Sequence, residues 1–330
     1  MHQIPLILVT GAAGFVGRAV VEYLRSLDLP VRAMVRKERD IKALEDLGCE
    51  VVLAELTDRE SLIAAMNGIE KVYHIAAAFR QASIEDEVYR QVNIEGVRSV
   101  FEIAIESGVK RIVHCSTVGV HGDVEHSPGT EETPYAPGDI YQITKMEGEK
   151  VALEFFRSNK IGGNVIRPAM IYGPGDMRTL KLFRMIAKQR FFYVGDGSKH
   201  VHFIDVRDLA KSFYLAMEKT EINGEVFIIS GARSLPLKEF ATLVANHLGV
   251  KPPWLHLPVK PIQWIGSLCE AICVPLGIEP PIYRRRVDFY TKNRSFSSAK
   301  ANKLLEFVPA QTLDGEISDI CQSYQDLSLL

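Results

Sequence analysis

Short apolar runs alternate with helical segments through the first half of the sequence. Continuous runs of this length are typical of strands that are buried on both faces of a parallel sheet. We predict strands at 6–9, 31–35, 50–53, 71–75, 111–115 and 163–166, and helices between them at 40–47, 59–66 and 85–107. Parallel strands joined in this order need helical crossovers. The pattern therefore predicts an α/β fold with a doubly wound parallel sheet.

The composition of the 330-residue chain excludes several classes of function. A hydrophobic content of 47% is ordinary for a packed protein, and a net charge of -2 gives no case for nucleic acid as a partner. The five cysteines are scattered and lack a Cys-x-x-Cys pair, which favours free thiols in a reducing compartment and no metal site. The amino terminus has no basic n-region. We therefore expect a cytoplasmic protein.

A glycine-rich turn separates the first predicted strand from the first helix. Gly11, Gly14 and Gly17 are spaced three residues apart, and the apolar positions after them recur at helical spacing. Such a turn lets a dinucleotide pyrophosphate approach the backbone at the positive end of a helix. The alternative is a turn with incidental glycines. The strand before it and the helix after it favour a dinucleotide site, formed by Gly11, Ala13, Gly14, Phe15, Val16 and Gly17.

The end of the second strand bears on the choice between NAD and NADP. A carboxylate there binds ribose hydroxyls, whereas an arginine accommodates a 2′-phosphate. This chain has Arg36 and Lys37 at that point, and its first acidic residues follow at Glu38 and Asp40. Because a guanidinium matches phosphate with two hydrogen bonds, Arg36 predicts a preference for NADP.

Tyr141 and Lys145 lie four residues apart, so a helix that begins near Asp139 would place both side chains on one face. A phenol loses its proton near pH ~10, which is too high for proton transfer at neutral pH. A neighbouring ammonium lowers that pKa and makes the tyrosine a usable acid and base. The spacing also arises by chance in exposed helices, and the glycine turn in the same half-chain is what favours a catalytic pair.

The sequence changes in character beyond about Pro174. Helices are predicted at 177–190, 206–218 and 236–248, a further strand at 225–229, and prolines punctuate the remainder. We predict a dinucleotide-binding domain and a smaller, partly interleaved substrate-binding domain. The first covers 1–174 with 201–230 returning to it, and the second covers 175–200 and 231–330.

With these motifs in hand, the chain resembles the extended short-chain dehydrogenase/reductase family, also called the NAD-dependent epimerase/dehydratase family. The resemblance covers essentially the whole length and implies a Rossmann-type fold. Beyond the glycine turn and the Tyr141/Lys145 pair, it rests on Tyr73-His74-Ile75-Ala76-Ala77, Asn93-Ile94-Glu95-Gly96, Cys115-Ser116-Thr117, residues 167–174 and Val206-Arg207-Asp208-Leu209-Ala210. These motifs are shared by reductases, epimerases and dehydratases.

The resemblance implies roles for further residues. Thr117, with Ser116 as second choice, would join Tyr141 and Lys145 as the catalytic hydroxyl. The cofactor would also contact Glu55, Leu56, Ala76, Ala77, Asn93, Tyr141, Lys145, Pro168 and Ile171. Substrate contacts would come from Phe79, Val118 and Met170. A homodimer is a further expectation at the level of the family.

Two enzymatic functions and one non-catalytic function fit these residues. The first is a ketone/secondary alcohol oxidoreductase for an apolar steroid-, flavonoid- or alkyl-ketone-like substrate, similar to 3β-hydroxysteroid dehydrogenases and dihydroflavonol reductases. The second is a nucleotide-sugar epimerase or dehydratase with tightly held NAD, for which Arg178, Lys181, Arg184 and 284–286 could hold a diphosphate. The third is a non-catalytic NADP-binding regulator, which would not need the intact set of Thr117, Tyr141 and Lys145.

The segment 261–278 carries only one charged residue. Gln263, Glu270 and Pro275 make it a poor bilayer span. It is interpreted first as a packed helix, second as an apolar substrate lid, and third as a membrane contact.

Overall fold

The computed structural model describes residues 5–79, 85–273 and 284–330. Its strands, in chain order, are β1 Leu6–Thr10, β2 Val31–Val35, β3 Glu50–Leu53, β4 Ile69–His74, β5 Arg111–Cys115, β6 Gly162–Pro168, β7 Met170–Tyr172, β8 Tyr193–Val194, β9 His200–Val201, β10 Phe203–Asp205, β11 Val226–Ile229, β12 Leu235–Pro236 and β13 His256–Leu257. Strands β1 to β6 and β11 form a seven-stranded sheet in the order β11-β6-β5-β4-β1-β2-β3. All its neighbours pair in parallel, which confirms the predicted doubly wound sheet.

Helices pack on both faces of this sheet. They are α1 Phe15–Ser26, α2 Ile41–Glu45, α3 Arg59–Met66, α4 Asp86–Arg90, α5 Gly96–Glu106, α6 Ile140–Arg157, α7 Leu180–Ala187, α8 Val206–Glu218, α9 Leu237–His247, α10 Val259–Cys273, α11 Arg284–Thr291, α12 Ala299–Leu305 and α13 Leu313–Asp326. Two 3₁₀ helices, Glu38–Asp40 and Val118–His121, and a π-helical turn, Gln91–Glu95, complete the helical structure of the described residues. The helix predicted at 85–107 is therefore α4 and α5 joined through the π turn.

Three hydrophobic clusters show how the layers are arranged. Two of them lie on opposite faces of the sheet, where α1 and α8 cover one face and α3, α5 and α6 cover the other. The third joins α7, α9 and α13 around the short strands β7 to β10. Strand β11 pairs with β6, so the chain does return to the main sheet there. The domain boundaries drawn from the sequence stay a prediction.

Candidate active site

A cleft of about 1080 Å³ opens at the carboxyl ends of the sheet strands. Strands β2 and β4 lie on either side of β1, so the order of the strands reverses at this point. Doubly wound sheets bind their ligands at such a reversal. The cleft is lined by every predicted catalytic, cofactor-binding and substrate-contact residue except Asn93, namely Gly11, Ala13, Gly14, Phe15, Val16, Gly17, Arg36, Glu55, Leu56, Ala76, Ala77, Phe79, Ser116, Thr117, Val118, Tyr141, Lys145, Pro168, Met170 and Ile171.

The glycine turn is a backbone cradle that side chains would fill. Gly11 has a φ of +69°, and a Cβ there would lie 2.9 Å from the backbone of Ala76. A Cβ on Gly17 would lie 2.1 Å from the carbonyl oxygen of Gly11, because α1 begins so close to β1. The first turn of α1 has no side-chain cap at Gly14. Its amides and positive dipole end suit a pyrophosphate, so the residues present fit a dinucleotide.

The hydroxyl of Thr10 fixes the position of the backbone at Ile75 and Ala76, which line the cleft. Its hydroxyl oxygen accepts from the amides of Ile75 and Ala76 at 3.0 and 3.1 Å, and it also bonds to His74 Nδ1 at 2.9 Å. Burial lowers the pKa of His74 to about 3, so its ring is neutral and serves as a fixed partner of Thr10. The end of β4 is thereby held against the glycine turn.

Asn93 lies behind the cleft and does not line it. Its side chain is buried, accepts from the amide of Ala78 at 2.8 Å, and donates to the Ala78 carbonyl and to Thr144 Oγ1 at 3.1 Å each. The expected direct contact of Asn93 with a cofactor therefore has no geometric support. The residue instead fastens the segment after β4 to helix α6.

Helix α6 presents Tyr141 and Lys145 to the cleft, as the spacing predicts. Asp139 caps the helix by accepting from the amide of Gln142 at 2.8 Å, and Gln142 accepts from the amide of Gly138 at 2.7 Å. This pair resembles a capping box, which fixes where the helix starts. The ring of Phe79 meets the Tyr141 ring edge-on at 5.2 Å between centroids.

Lys145 is almost completely buried beside the tyrosine. Its ammonium donates to the carbonyl of Cys115 at 2.6 Å, at the end of β5. Burial lowers the pKa of Lys145, and the charge of Glu149 opposes part of that effect. The same strand end carries Ser116 and Thr117. Thr117 is partly exposed in the cleft and accepts from the amide of Gly119 at 3.0 Å, whereas Ser116 is 3% exposed.

A buried ion pair next to the candidate site was not predicted from the sequence. Glu149 follows Lys145 by one more helical turn, and both its oxygens bond to Arg167, at 2.9 Å to Nε and 2.5 Å to Nη2. Burial alone would raise the pKa of Glu149, but the hydrogen bonds and charge of Arg167 hold it below its usual range. Arg167 also donates to the hydroxyl of Tyr135 at 2.9 Å and bonds to His121 Nε2 at 3.0 Å. In the sequence, the i, i+4, i+8 spacing places Glu149 on the same face of the helix as Tyr141 and Lys145, but it does not identify Arg167 as the partner.

Cations and aromatic rings complete the cleft. The Arg178 guanidinium lies 4.7 Å from the ring of Phe15 and 6.0 Å from that of Phe79, and bonds to Asp176 at 2.8 Å. Phe289, Arg294 and Phe296 also line the cleft. Of the cations proposed for a diphosphate, Arg178 lines this cleft, whereas Lys181 and Arg184 line a separate cavity of about 450 Å³. The side chains of 284–286 lie outside the described part of the structure. Among the described residues, no group of three His, Cys, Asp or Glu side chains could hold a metal.

A doubly wound sheet with this glycine cradle and this tyrosine–lysine pair in one cleft defines an enzyme that uses a nicotinamide dinucleotide. The sequence profile of the NAD dependent epimerase/dehydratase family matches residues 7–230, and the chain belongs to that family.

Relatives and a solved structure agree with this assignment. The chain is 28% identical to the 3beta-hydroxysteroid-dehydrogenase/decarboxylase isoform 1 of Arabidopsis thaliana, over 97% of this chain and 80% of that protein. It is 31% identical to the sterol demethylase protein B of Methylococcus capsulatus, over 80% of this chain and 81% of that protein. The crystal structure of gox2253 superposes with a TM-score of 0.84 at 28% identity and covers 99% of both chains. The chain is thus an enzyme of the extended short-chain dehydrogenase/reductase type, in a family described as NAD dependent.

Proposed function

We propose that this enzyme interconverts a ketone and a secondary alcohol on an apolar substrate, with NADP preferred over NAD. The observation that carries the proposal is the convergence of Thr117, Tyr141 and Lys145 in the cleft that also holds the glycine cradle. A proton donor and a second hydroxyl beside a nicotinamide site are what carbonyl reduction requires.

Each of the three residues has a distinct task in this proposal. A nicotinamide, when bound, supplies or takes up the hydride. Tyr141 gives its proton to the developing alkoxide, and Lys145 favours the phenolate and holds the ribose hydroxyls. The oxygen of Thr117 accepts from the amide of Gly119, so its own proton is directed away to the substrate oxygen. Its exposure in the cleft supports Thr117 over Ser116 for this task.

The apolar character of the substrate follows from the lining of the cleft beyond the tyrosine. Phe79, Val118, Met170, Phe289 and Phe296 supply aromatic and aliphatic surface there. Such lining stabilises a ligand by removing apolar area from water. The names of the relatives, a 3beta-hydroxysteroid dehydrogenase and a sterol demethylase protein, support the same class of substrate.

A nucleotide-sugar epimerase or dehydratase is the second candidate. Arg178 and Arg294 line the cleft and could face a diphosphate, which favours this alternative. The two functions differ in net redox change. An oxidoreductase consumes one reduced cofactor per turnover, whereas an epimerase or a dehydratase returns it.

The test is a panel of steroid, flavonoid and alkyl ketones beside nucleotide sugars, followed by NADPH absorbance and product analysis. We expect net oxidation of NADPH with an apolar ketone. Tyr141→Phe should lower kcat about 10²–10⁴-fold with little change in cofactor affinity, because only proton transfer is removed. Thr117→Val should lose activity, and the matched Thr117→Ser should retain most of it.

Three results would contradict the proposal. Conversion of a nucleotide sugar without net NADPH loss identifies the epimerase class. Cofactor binding without turnover of any substrate indicates the non-catalytic regulator. Near-normal turnover by Tyr141→Phe removes the mechanism. A homodimer in the cytoplasm is part of the same proposal, and sedimentation equilibrium measures the mass.

A further inference from the structure

Helix α10 turns an apolar face to solvent. The exposed fractions are 82% for Trp264, 45% for Ile265 and 61% for Leu268, and the spacing of these residues places them on one face of the helix. Gly266 is buried, and α10 packs against α11. Helix α10 is therefore packed on one side and open on the other, and the choice between a packed helix, a lid and a membrane contact stays a prediction. Residues 274–278 of the segment lie outside the described residues.

A second exposed apolar pair precedes this helix in the chain. Trp254 is 81% and Leu255 is 41% exposed, just before β13. Strand β13 pairs with β8, and Val259 at the start of α10 lies beside Gly195, directly after β8. We call Trp254, Leu255, Trp264, Ile265 and Leu268 the tryptophan patch. All five lie in the segment 254–268, and large exposed apolar side chains on a monomer mark an interaction site.

Positive charge predominates in the sequence of the segments that carry and follow the tryptophan patch. Residues 251–273 and 284–291 contain five cations, Lys251, Lys260, Arg284, Arg285 and Arg286, against two acidic residues, Glu270 and Asp288. A further cavity lined by four cations, Lys181, Arg184, Lys188 and Arg190, lies at the end of α7. It is close to α11, because the ring of Phe191 packs 6.1 Å from that of Tyr290. Tryptophan with lysine and arginine is the combination that favours an anionic bilayer surface.

We propose that the tryptophan patch docks onto the surface of an anionic phospholipid bilayer. Helix α10 would lie in the plane of the interface, with its exposed face in the headgroup region and the cations against lipid phosphates. No helix in the described part of the chain is long and apolar enough to cross a membrane, so this contact is a peripheral one.

The docked side would adjoin the cleft. Phe289 of α11 lines the cleft, and its neighbour Tyr290 belongs to the same helix that supports α10. An apolar substrate dissolved in lipid would then have a short route to the site. This second step rests on the proposed apolar substrate, whereas docking itself does not.

The experiment uses the full chain and vesicles of phosphatidylcholine alone or of an equimolar mixture with phosphatidylglycerol. Both tryptophans of the chain lie in the patch, so intrinsic fluorescence reports on it directly. We expect co-sedimentation with the anionic vesicles, a blue shift of emission, and weaker binding at high salt. The single variants Trp254→Phe and Trp264→Phe assign the shift to each position.

Matched variants separate docking from loss of fold. Trp264→Ser/Leu268→Ser should lower vesicle partition roughly tenfold or more, whereas Val308→Ser, which is also exposed, should not. Lys251→Glu/Lys260→Glu should lower binding to anionic vesicles by a similar factor without touching an apolar residue.

Some outcomes overturn docking. The absence of a blue shift and of sedimentation with either vesicle does so. A blue shift without lipid, together with a doubled mass that Trp264→Ser/Leu268→Ser abolishes, would make the patch an interface with a second copy. None of these readouts depends on catalysis, so the failure of docking and the failure of the proposed function are distinguishable.

Discussion

Arg36 lies in the cleft just after β2, followed along the same rim by Lys37 and Arg39. At this point a protein distinguishes two hydroxyls from a phosphate on the adenosine ribose. Two acidic residues, Asp40 after β2 and Glu55 after β3, line the cleft as well. The excess of positive charge at this rim favours the 2′-phosphate of NADP. The preference itself is the ratio of the affinities for NADP and NAD.

Thermal shift measures that affinity without any knowledge of the substrate. At equal concentrations NADP should raise the Tm more than NAD, because tighter binding to the folded state stabilises it more. Arg36→Gln should weaken NADP binding about tenfold or more, since a charge-assisted bidentate contact is lost, and should leave NAD little changed. Lys42→Gln removes an exposed cation outside the cleft and is the control. A larger shift with NAD in the unmodified protein would contradict the role given to Arg36.

Single residues show where prediction from the sequence ends. The glycine turn and the Tyr141/Lys145 pair could be read from spacing, because backbone geometry alone dictates them. The position of Asn93 depends on three hydrogen bonds to other segments. The Glu149–Arg167 pair joins α6 to β6 across 18 positions, and spacing does not reveal such a partner.

At the scale of elements, helix α6 makes a close contact with the π turn. Gly148 of α6 faces the carbonyl of Asn93, and a Cβ there would lie 2.0 Å from that oxygen. The π turn Gln91–Glu95 packs against α6. Turns of this kind often lie at functional sites, since they redirect backbone groups within a helix.

Gly148→Ala should therefore destabilise the protein and misplace Tyr141 and Lys145. Alanine favours a helix by up to about 1 kcal/mol over glycine, but the overpacking of its Cβ costs about 1–3 kcal/mol. The net effect is therefore a loss of stability. Gly315→Ala in α13 is the matched control, because its Cβ would meet only Thr312 Oγ1, at 3.1 Å. Urea unfolding measures both, and a Gly148→Ala variant as stable as the unmodified protein would disprove the close contact.

The strands of the main sheet were predictable and the smaller ones were not. Buried parallel strands such as β1, which begins Leu-Ile-Leu-Val, are continuous apolar runs that turns delimit. The pairs β8/β13 and β9/β12 have only two residues per strand and form because distant segments pack together. The exposed face of α10 also could not be predicted, since hydropathy does not state which side of an apolar helix is covered.

At the scale of the whole molecule, α13 fastens the end of the chain to the cleft. Tyr324 donates to the carbonyl of Asp176, whose carboxylate holds Arg178 in the site. About two turns earlier on α13, Glu316 accepts from the hydroxyl of the buried Tyr172 at the end of β7. The carboxyl-terminal helix thus sets the position of a cleft residue.

The carboxyl of Glu316 makes the stability of this arrangement sensitive to pH. Burial raises its pKa to about 7, the hydrogen bond from Tyr172 opposes the rise, Asp205 and Asp208 add to it, and Arg207 lowers it. The folded state therefore keeps a proton that the unfolded chain, with a carboxyl pKa of about 4.3, has already lost. The contribution of this proton to the free energy of unfolding is fully present below the pKa of the unfolded chain. It is lost as the pH rises through the folded pKa of about 7.

Glu316→Gln removes the titration and keeps an acceptor for Tyr172. Between about pH 5 and pH 8 the unmodified protein should lose on the order of 2 kcal/mol of unfolding free energy relative to this variant. Glu22→Gln, at an exposed position on α1, controls for the loss of one negative charge. Urea unfolding at each pH gives the two curves. A difference in unfolding free energy between Glu316→Gln and the unmodified protein that stays constant over this window would mean that Glu316 is ionised throughout. Arg207 would then stabilise the carboxylate more strongly than burial and the two aspartates destabilise it.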